Sequence, residues 1–348
     1  MLSKQLFLLL LTVLALPAVT RAGDWADGTV TNSAGSRNYT LWVPAGYDKH
    51  KSTPLLMMLH GCMQKPDDLA AISGMNAVAE KNNFLVVYPE QTAAANPLKC
   101  WNWFDPKNQT RGAGESSLLA AIVEKVQSSH NVNVKKIYVA GISAGGAMAI
   151  VMAATYPDLF SGVGASAGLA FKSATSVEGG LATMKQGSPD SRQLGLLAYT
   201  AMNNGLRVRR KKLMPLIVFQ GSADPYVNPL NAEQLIAQWA SVNDYLDDGK
   251  SNESLKLQSL ETVAESVPGA HAYTRLIYHD HAGRLIMEEW MIKGLAHAWA
   301  GSPAAGVFAD PKGPKASEQI WRFFQQAGKS HLKPPKKSKD AKPRETSQ

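Results

Sequence analysis

Long hydrophobic runs are scarce in this sequence. The longest, Leu6 to Leu16, is about 11 residues, whereas a helix that crosses a bilayer needs roughly 20, so no transmembrane anchor is expected, an uncleaved leader being the other outcome. The run follows Lys4 and precedes Pro17 and Thr20-Arg21-Ala22, the layout of a secretory signal peptide over residues 1–22 with cleavage after Ala22. No cysteine follows it, so no lipoprotein anchor is expected. Cysteine is scarce altogether, with Cys62 and Cys100 the whole complement. Export to an extracellular or periplasmic compartment makes a bridge between them the expectation, worth about 4 kcal/mol on the chain-entropy account, with two free thiols as the other outcome. Internal repeats are absent too.

An excess of positive charge is missing where it would matter for nucleic acid. The net charge is +8. Of this, +5 lies in residues 329–348 and +2 in Lys4 and Arg21, which leaves the body near +1. The stretch from Lys329 onward contains Pro334-Pro335-Lys336-Lys337 and hardly an apolar residue, so it is expected to be disordered, free of the catalytic core and able to contact anionic surfaces. What remains, residues 23–328, suffices for one large domain, and the 45% hydrophobic content of the whole sequence is that of an ordinary globule.

Within it, Gly28–Thr31 and Arg37–Val43 flank a Gly/Ser/Asn turn and predict an opening antiparallel hairpin. Continuous apolar strands then alternate with helical patterns: Pro54–Leu59, a helix through Leu69 to Ala79, Phe84–Tyr88, helix Ser116–Ser129, strand Ile137–Gly141, helix Gly145–Tyr156, strands Val163–Ser166 and Leu216–Phe219, and helix Leu230–Val242. That rhythm predicts a mostly parallel, doubly wound sheet covered on both faces. Thr274–His279 and Arg284–Lys293 predict a late hairpin, and Ser317–Gln326 a closing helix. Residues 169–212 stand outside the rhythm. They predict an insertion over the strand ends, either lid-like or a surface excursion of short helices.

Gly141-Ile142-Ser143-Ala144-Gly145 lies between a strand and a small-residue helix, the context of the nucleophile elbow of α/β-hydrolases. A serine needs a base to take its proton, and the base needs an acid to hold its tautomer. In this fold the acid follows the serine and the histidine comes last. Asp224 stands just beyond the carboxyl end of strand Leu216–Phe219, where ligands collect in open α/β sheets. Asp158, Asp190, Asp244, Asp247, Asp248 and Asp280 fall at helix ends or turns, where solvated carboxylates are the normal reading. His297 occupies a Gly-containing loop between the last strand and the last helix. His50, His130, His279 and His281 are expected to be exposed, and His60 to structure its loop. Ser143, Asp224 and His297 are therefore the expected nucleophile, acid and base. The oxyanion of an acyl transfer needs preorganised N–H donors. Ala144 supplies one, and the loop His60-Gly61-Cys62-Met63-Gln64 the other, through Cys62 or, failing that, Gly61. The bridge would bring Trp101-Asn102-Trp103-Phe104 beside that loop, as acyl-pocket surface or equally as core. Trp101, Trp103 and Trp299 are the expected substrate-binding aromatics.

Leu59-His60-Gly61-Cys62-Met63-Gln64, Tyr88-Pro89-Glu90-Gln91, Cys100-Trp101-Asn102-Trp103-Phe104, Gly141 to Met148 and Gly294 to Trp299 together resemble the polyhydroxybutyrate depolymerase family of esterases, over nearly all of the expected mature domain. The resemblance implies an α/β-hydrolase fold, a triad on Ser143, Asp224 and His297, no metal or organic cofactor, and an ester polymer or oligomer as substrate. Feruloyl and acetylxylan esterases share the framework, so carboxylic-ester hydrolysis is implied more firmly than any one substrate. Two departures stand out. Where extracellular depolymerases commonly carry a linker and a polymer-binding domain, this sequence has the basic stretch, which points away from crystalline polymer. Gln220-Gly221 stands where His-Gly is common, a change expected to alter packing rather than chemistry. A binding protein without turnover, or a peptidase on the same fold, are the competing readings.

Overall fold

The computed structural model describes residues 22–188, 190–255, 258–265 and 269–329. The segment expected to be a signal peptide, but for Ala22, and the basic stretch after Lys329 lie outside the described residues. Ten strands form one sheet in the order β1-β2-β4-β3-β5-β6-β7-β10-β9-β8. β1 (Asp24–Asn32) and β2 (Gly35–Val43) make the predicted hairpin, and β2 runs antiparallel to β4 (Leu85–Pro89). From β4 through β3 (Thr53–Leu59), β5 (Val132–Ile142), β6 (Val163–Ser166), β7 (Leu216–Gly221) and β10 (Leu285–Ile292), every pairing is parallel. The late hairpin, β9 (Tyr273–His279) with β10, then leads to β8 (Gln258–Glu265) at the sheet edge.

Side chains alternate between the two faces of a strand, which divides the core in two. Leu55, Met57, Val139 and Val218 pack under α3 (Gly114–Ser129), α4 (Ala144–Thr155) and α7 (Leu230–Asp248). Leu56, Met58, Ala140 and Phe219 pack under α1 (Pro66–Ser73), α2 (Met75–Asn82) and α8 (Ala316–Gln326). The central α4 is buried on every side, and its glycines and alanines are what let it lie so close to the sheet.

Where the pattern Leu69 to Ala79 predicts one helix, the chain forms two. Gly74 adopts φ 59° between them, and a Cβ there would meet Pro303 at 2.7 Å. The insertion 169–212 forms α5 (Val177–Gln186) and α6 (Ser191–Asn203). The buried Gln238 of α7 donates to the carbonyls of Phe171 and Leu194, so much of the insertion is fastened to the body. Among the described residues no helix is long and apolar enough to cross a membrane.

Candidate active site

β5 ends at Ile142, α4 begins at Ala144, and the turn between them is a single residue, Ser143, at φ 57° and ψ −125°. A non-glycine residue rarely adopts positive φ, and such strain persists only where its surroundings enforce it. The flanking glycines show the enforcement. A Cβ at Gly141 would stand 2.4 Å from the Gly145 carbonyl oxygen, and one at Gly145 would stand 2.1 Å from that of Leu59. The result lifts Ser143 to the carboxyl end of the sheet.

Asp224 follows β7 and His297 follows β10, two strands paired in parallel, so both reach the same end. His297 Nδ1 lies 2.7 Å from Asp224 Oδ2, with both side chains almost wholly buried. The other carboxylate oxygen accepts the amides of Tyr226 and Val227, each at 2.9 Å. Burial by itself would raise the Asp224 pKa. The hydrogen bond and charge of His297, with those two amides, outweigh it and hold the carboxyl below its ordinary value. With Nδ1 engaged, Nε2 is the ring nitrogen left for the cavity that His297 shares with Ser143. Gln220 Nε2 adds a longer contact to Asp224 Oδ2 at 3.3 Å while also donating to the Gly221 and Val227 carbonyls. The expectation that this glutamine alters packing alone is thus incomplete.

The loop after β3 is held from several sides. His60 is fully buried, its Nε2 accepts the Gln91 amide at 3.1 Å, and its Nδ1–H therefore donates to the Gly61 carbonyl at 2.7 Å. Burial pushes its pKa down to about 4, so the ring is neutral. Gly61 N–H is already donated to Gln64 Oε1 at 2.8 Å, whereas the Cys62 amide has no partner among the described backbone contacts, and Cys62 lines one cavity with Ser143. Ala144 is the first residue of α4, so its N–H has no partner a turn earlier. The Cys62–Cys100 disulfide is formed. Behind it, the buried Glu115 accepts from Gln91 Nε2, Asn102 N and Asn102 Nδ2 and faces Arg37.

A cavity of about 160 Å3 opens over this arrangement, walled by Met63, Met184, Tyr226 and Phe308 with Ser143 and His297 at its base. The Tyr226 and Phe308 rings both stand edge-to-face on His297. None of these four was expected from the sequence; only structure could assign them, because isolated apolar residues in loops carry no periodic signal. Met184, from α5, is the insertion's contribution to the wall.

The three tryptophans are corrected by the structure. Trp101 and Trp299 are fully buried and Trp103 nearly so. Trp101 packs on His60, and Trp299 donates to Ser317 Oγ, so the indoles brace the site from within and do not line the cavity. Asp244 and Asp280 are also buried, contrary to the solvated reading. Asp280 is engaged by Arg284 and by the amides of its own turn, well removed from His297 in role. His130 and His279 are half-buried, against expectation, while His50 and His281 are exposed. His271, which the sequence did not single out, pairs with Asp310 at 3.0 Å.

A parallel sheet with an elbow serine and a histidine–aspartate pair at its carboxyl end defines an α/β-hydrolase. Residues 37–257 match the esterase PHB depolymerase family, and the chain belongs to it. It is 30% identical over 294 residues to poly(3-hydroxyalkanoate) depolymerase C of Paucimonas lemoignei, covering 83% of this chain and 66% of that protein, a little under two thirds of its length. It is 30% identical over 258 residues to feruloyl esterase B of Neurospora crassa, covering 72% and 80%. The acetyl xylan esterase of Aspergillus awamori superposes with a TM-score of 0.66 at 21% identity, over 87% of this chain and all of that one, which speaks for the fold.

Proposed function

We propose that the chain is an exported serine esterase that hydrolyses short-chain hydroxyalkanoate esters through an acyl-enzyme on Ser143. The observation that carries this reading is the Asp224–His297 contact at 2.7 Å beside the elbow serine, under an apolar cavity of about 160 Å3. His297 Nε2 takes the Ser143 proton as Oγ attacks the ester carbonyl, then returns it to the leaving alcohol. Water repeats the sequence on the acyl-enzyme. Asp224 keeps the proton on Nδ1 and stabilises the imidazolium. The amides of Cys62 and Ala144 receive the oxyanion, each worth about 3 to 4 kcal/mol in such sites. No Ser143–His297 hydrogen bond is formed among the described contacts; in related sites this contact tightens with substrate.

The cavity wall has no charged group, which suits a small acyl group without a carboxylate or phosphate. A cavity of about 160 Å3 suits a compact acyl group such as hydroxybutyryl, whereas a feruloyl ring asks for a longer slot. The second reading, a carbohydrate esterase of the acetyl type, is supported by the same small cavity and by Tyr226, which is 57% exposed at the rim and offers a ring to a sugar. Release of 3-hydroxybutyrate from amorphous polymer or soluble oligomers, measured beside acetate and ferulate release from substituted xylan oligosaccharides, separates the two. Export is supported by the leader sequence and the disulfide; recovery of processed protein beginning at Gly23 outside the cytoplasm tests it.

A further inference from the structure

Opposite Ser143, where β5, β6, β7 and β10 begin, a cleft of about 320 Å3 is lined by Lys135, Lys211 and Lys212 over an apolar floor that includes Tyr138 and Phe324. Lys212 Nζ donates to Ser161 Oγ at 3.2 Å, and Ser161 Oγ donates in turn to the Lys135 carbonyl at 2.9 Å. The Lys212 ammonium and the Lys135 backbone thus meet at one serine. Arg210 lies beside them, with one guanidinium nitrogen on the Pro157 carbonyl and another buried without a partner. Burial first, then the charges of Arg210 and Lys135, hold the Lys212 ammonium below its ordinary pKa. The carboxylates nearby are mostly engaged. Asp280 holds Arg284, Asp158 is gripped by Arg111 and faces Arg210, and Asp247 alone lines the cleft, accepting from Ser254.

Lys211, which lines the cleft, is exposed; so are Val134 and Lys136, on either side of Lys135 in the chain, and Arg207 and Val208, just before Arg210, with Val134 at 62% and Val208 at 78% exposure. An apolar side chain flanked by cations adds nothing to a folded core, but it suits a surface that is anionic outside and apolar just beneath. The cleft also takes Gly328 into its lining, and the sequence continues from there with a segment of net charge +5. The body as a whole is close to neutral, whereas Lys135, Lys211 and Lys212 line this one cleft.

We propose that this face, carrying Lys135, Lys136, Arg207, Lys211 and the two valines, docks on an anionic lipid surface and leaves the catalytic cavity directed away from it. Cations near a headgroup layer attract it within a Debye length, and the valines enter the interface. A soluble polyanion would engage the lysines and leave the valines idle. Lys135 lies roughly 23 Å from Ile142 along β5, at about 3.3 Å per residue, so docking and turnover do not obstruct each other.

The test is cosedimentation of the full mature chain with vesicles of equal parts phosphatidylglycerol and phosphatidylcholine. Wild type binds these, does not bind phosphatidylcholine alone, and is released by salt. The variant Lys135→Glu/Arg207→Glu/Lys211→Glu binds about a hundredfold more weakly, since each near-surface cation contributes roughly a factor of five. Val134→Ser/Val208→Ser binds more weakly at every salt concentration. Both variants hydrolyse a soluble ester at the wild-type rate, which shows that they are folded. Vesicle binding by the charge variant indistinguishable from wild type would overturn the proposal, because the C-terminal segment would then act alone. An inert valine pair, or retention on polyphosphate without vesicle binding, would overturn it too, in favour of a polyanion partner.

Discussion

Asp224 Oδ2 and His297 Nδ1 meet at 2.7 Å although 73 residues separate them in the chain. Parallel pairing of β7 with β10 brings the loops after them together, and the Tyr226 and Val227 amides aim the carboxylate. Asp224→Asn keeps the shape and offers a donor where Nδ1–H needs an acceptor. Its kcat on a soluble ester is expected to fall about 10⁴-fold. Asp280→Asn loosens the Arg284 turn and leaves kcat near wild type; the opposite ranking in steady-state kinetics would reassign the acid.

Ser143 combines a reactive position with a strained one. Ser143→Ala is expected to lose several orders of magnitude in kcat and to unfold near the wild-type midpoint. Ser143→Gly is equally inactive but more stable than the alanine variant, by about 1 to 2 kcal/mol, because glycine accepts the positive φ without strain. Calorimetry of the two inactive variants reads this difference directly. Equal midpoints would mean that the φ of 57° carries no cost.

The Cys62–Cys100 bridge holds the loop that shares the cavity with Ser143. Thiol titration of the unfolded, unreduced protein is expected to find no free thiol. Replacing both cysteines by alanine lowers unfolding free energy by about 3 to 4 kcal/mol. It also lowers kcat more than KM, because the Cys62 amide is placed by that loop.

Two buried groups give opposite pH dependences. His60, pushed down to about 4 by burial, is protonated in the unfolded chain at its ordinary 6.5 and not in the folded one, so stability falls as pH drops from 6.5 towards 4. Glu289, pushed up to about 7 by burial and then by Glu233, against the Tyr278 hydrogen bond, holds a proton in the fold that the unfolded chain releases at 4.5. Its contribution falls as pH rises from 4.5 to 7. Each is worth about 3 kcal/mol at 1.36 kcal/mol per pH unit, so they offset one another in the wild type. Denaturant titrations at several pH values should show Glu289→Gln gaining stability as pH rises through this window and His60→Gln losing it. Parallel curves for both variants would refute the pairing.

Much of the architecture was legible because burial leaves a periodic trace. Val163–Ser166 and Leu216–Phe219 are continuous apolar runs since both faces of their strands are covered. β8 left no such trace, lying at the sheet edge where one side needs no apolar neighbour strand. The helix break at Gly74 depends on Pro303, more than two hundred residues away, and no local pattern could announce it.

By itself the sequence determined the elbow, because only glycine at 141 and 145 lets the backbone close so tightly around Ser143. It also determined the order of strand, serine, acid and histidine, since a parallel sheet returns each strand's carboxyl end to the same side. Tertiary structure alone decided which indoles face ligand and which face core. Trp101, Trp103 and Trp299 carry the same chemistry as a pocket wall, yet His60 packs on Trp101, the Trp103 ring sits against Phe104 and Gly180, and Ser317 accepts from Trp299. The cavity wall of Met63, Met184, Tyr226 and Phe308 is assembled from four separate loops and helices. Its members share no spacing in the chain, and only the packed sheet beneath them makes them neighbours.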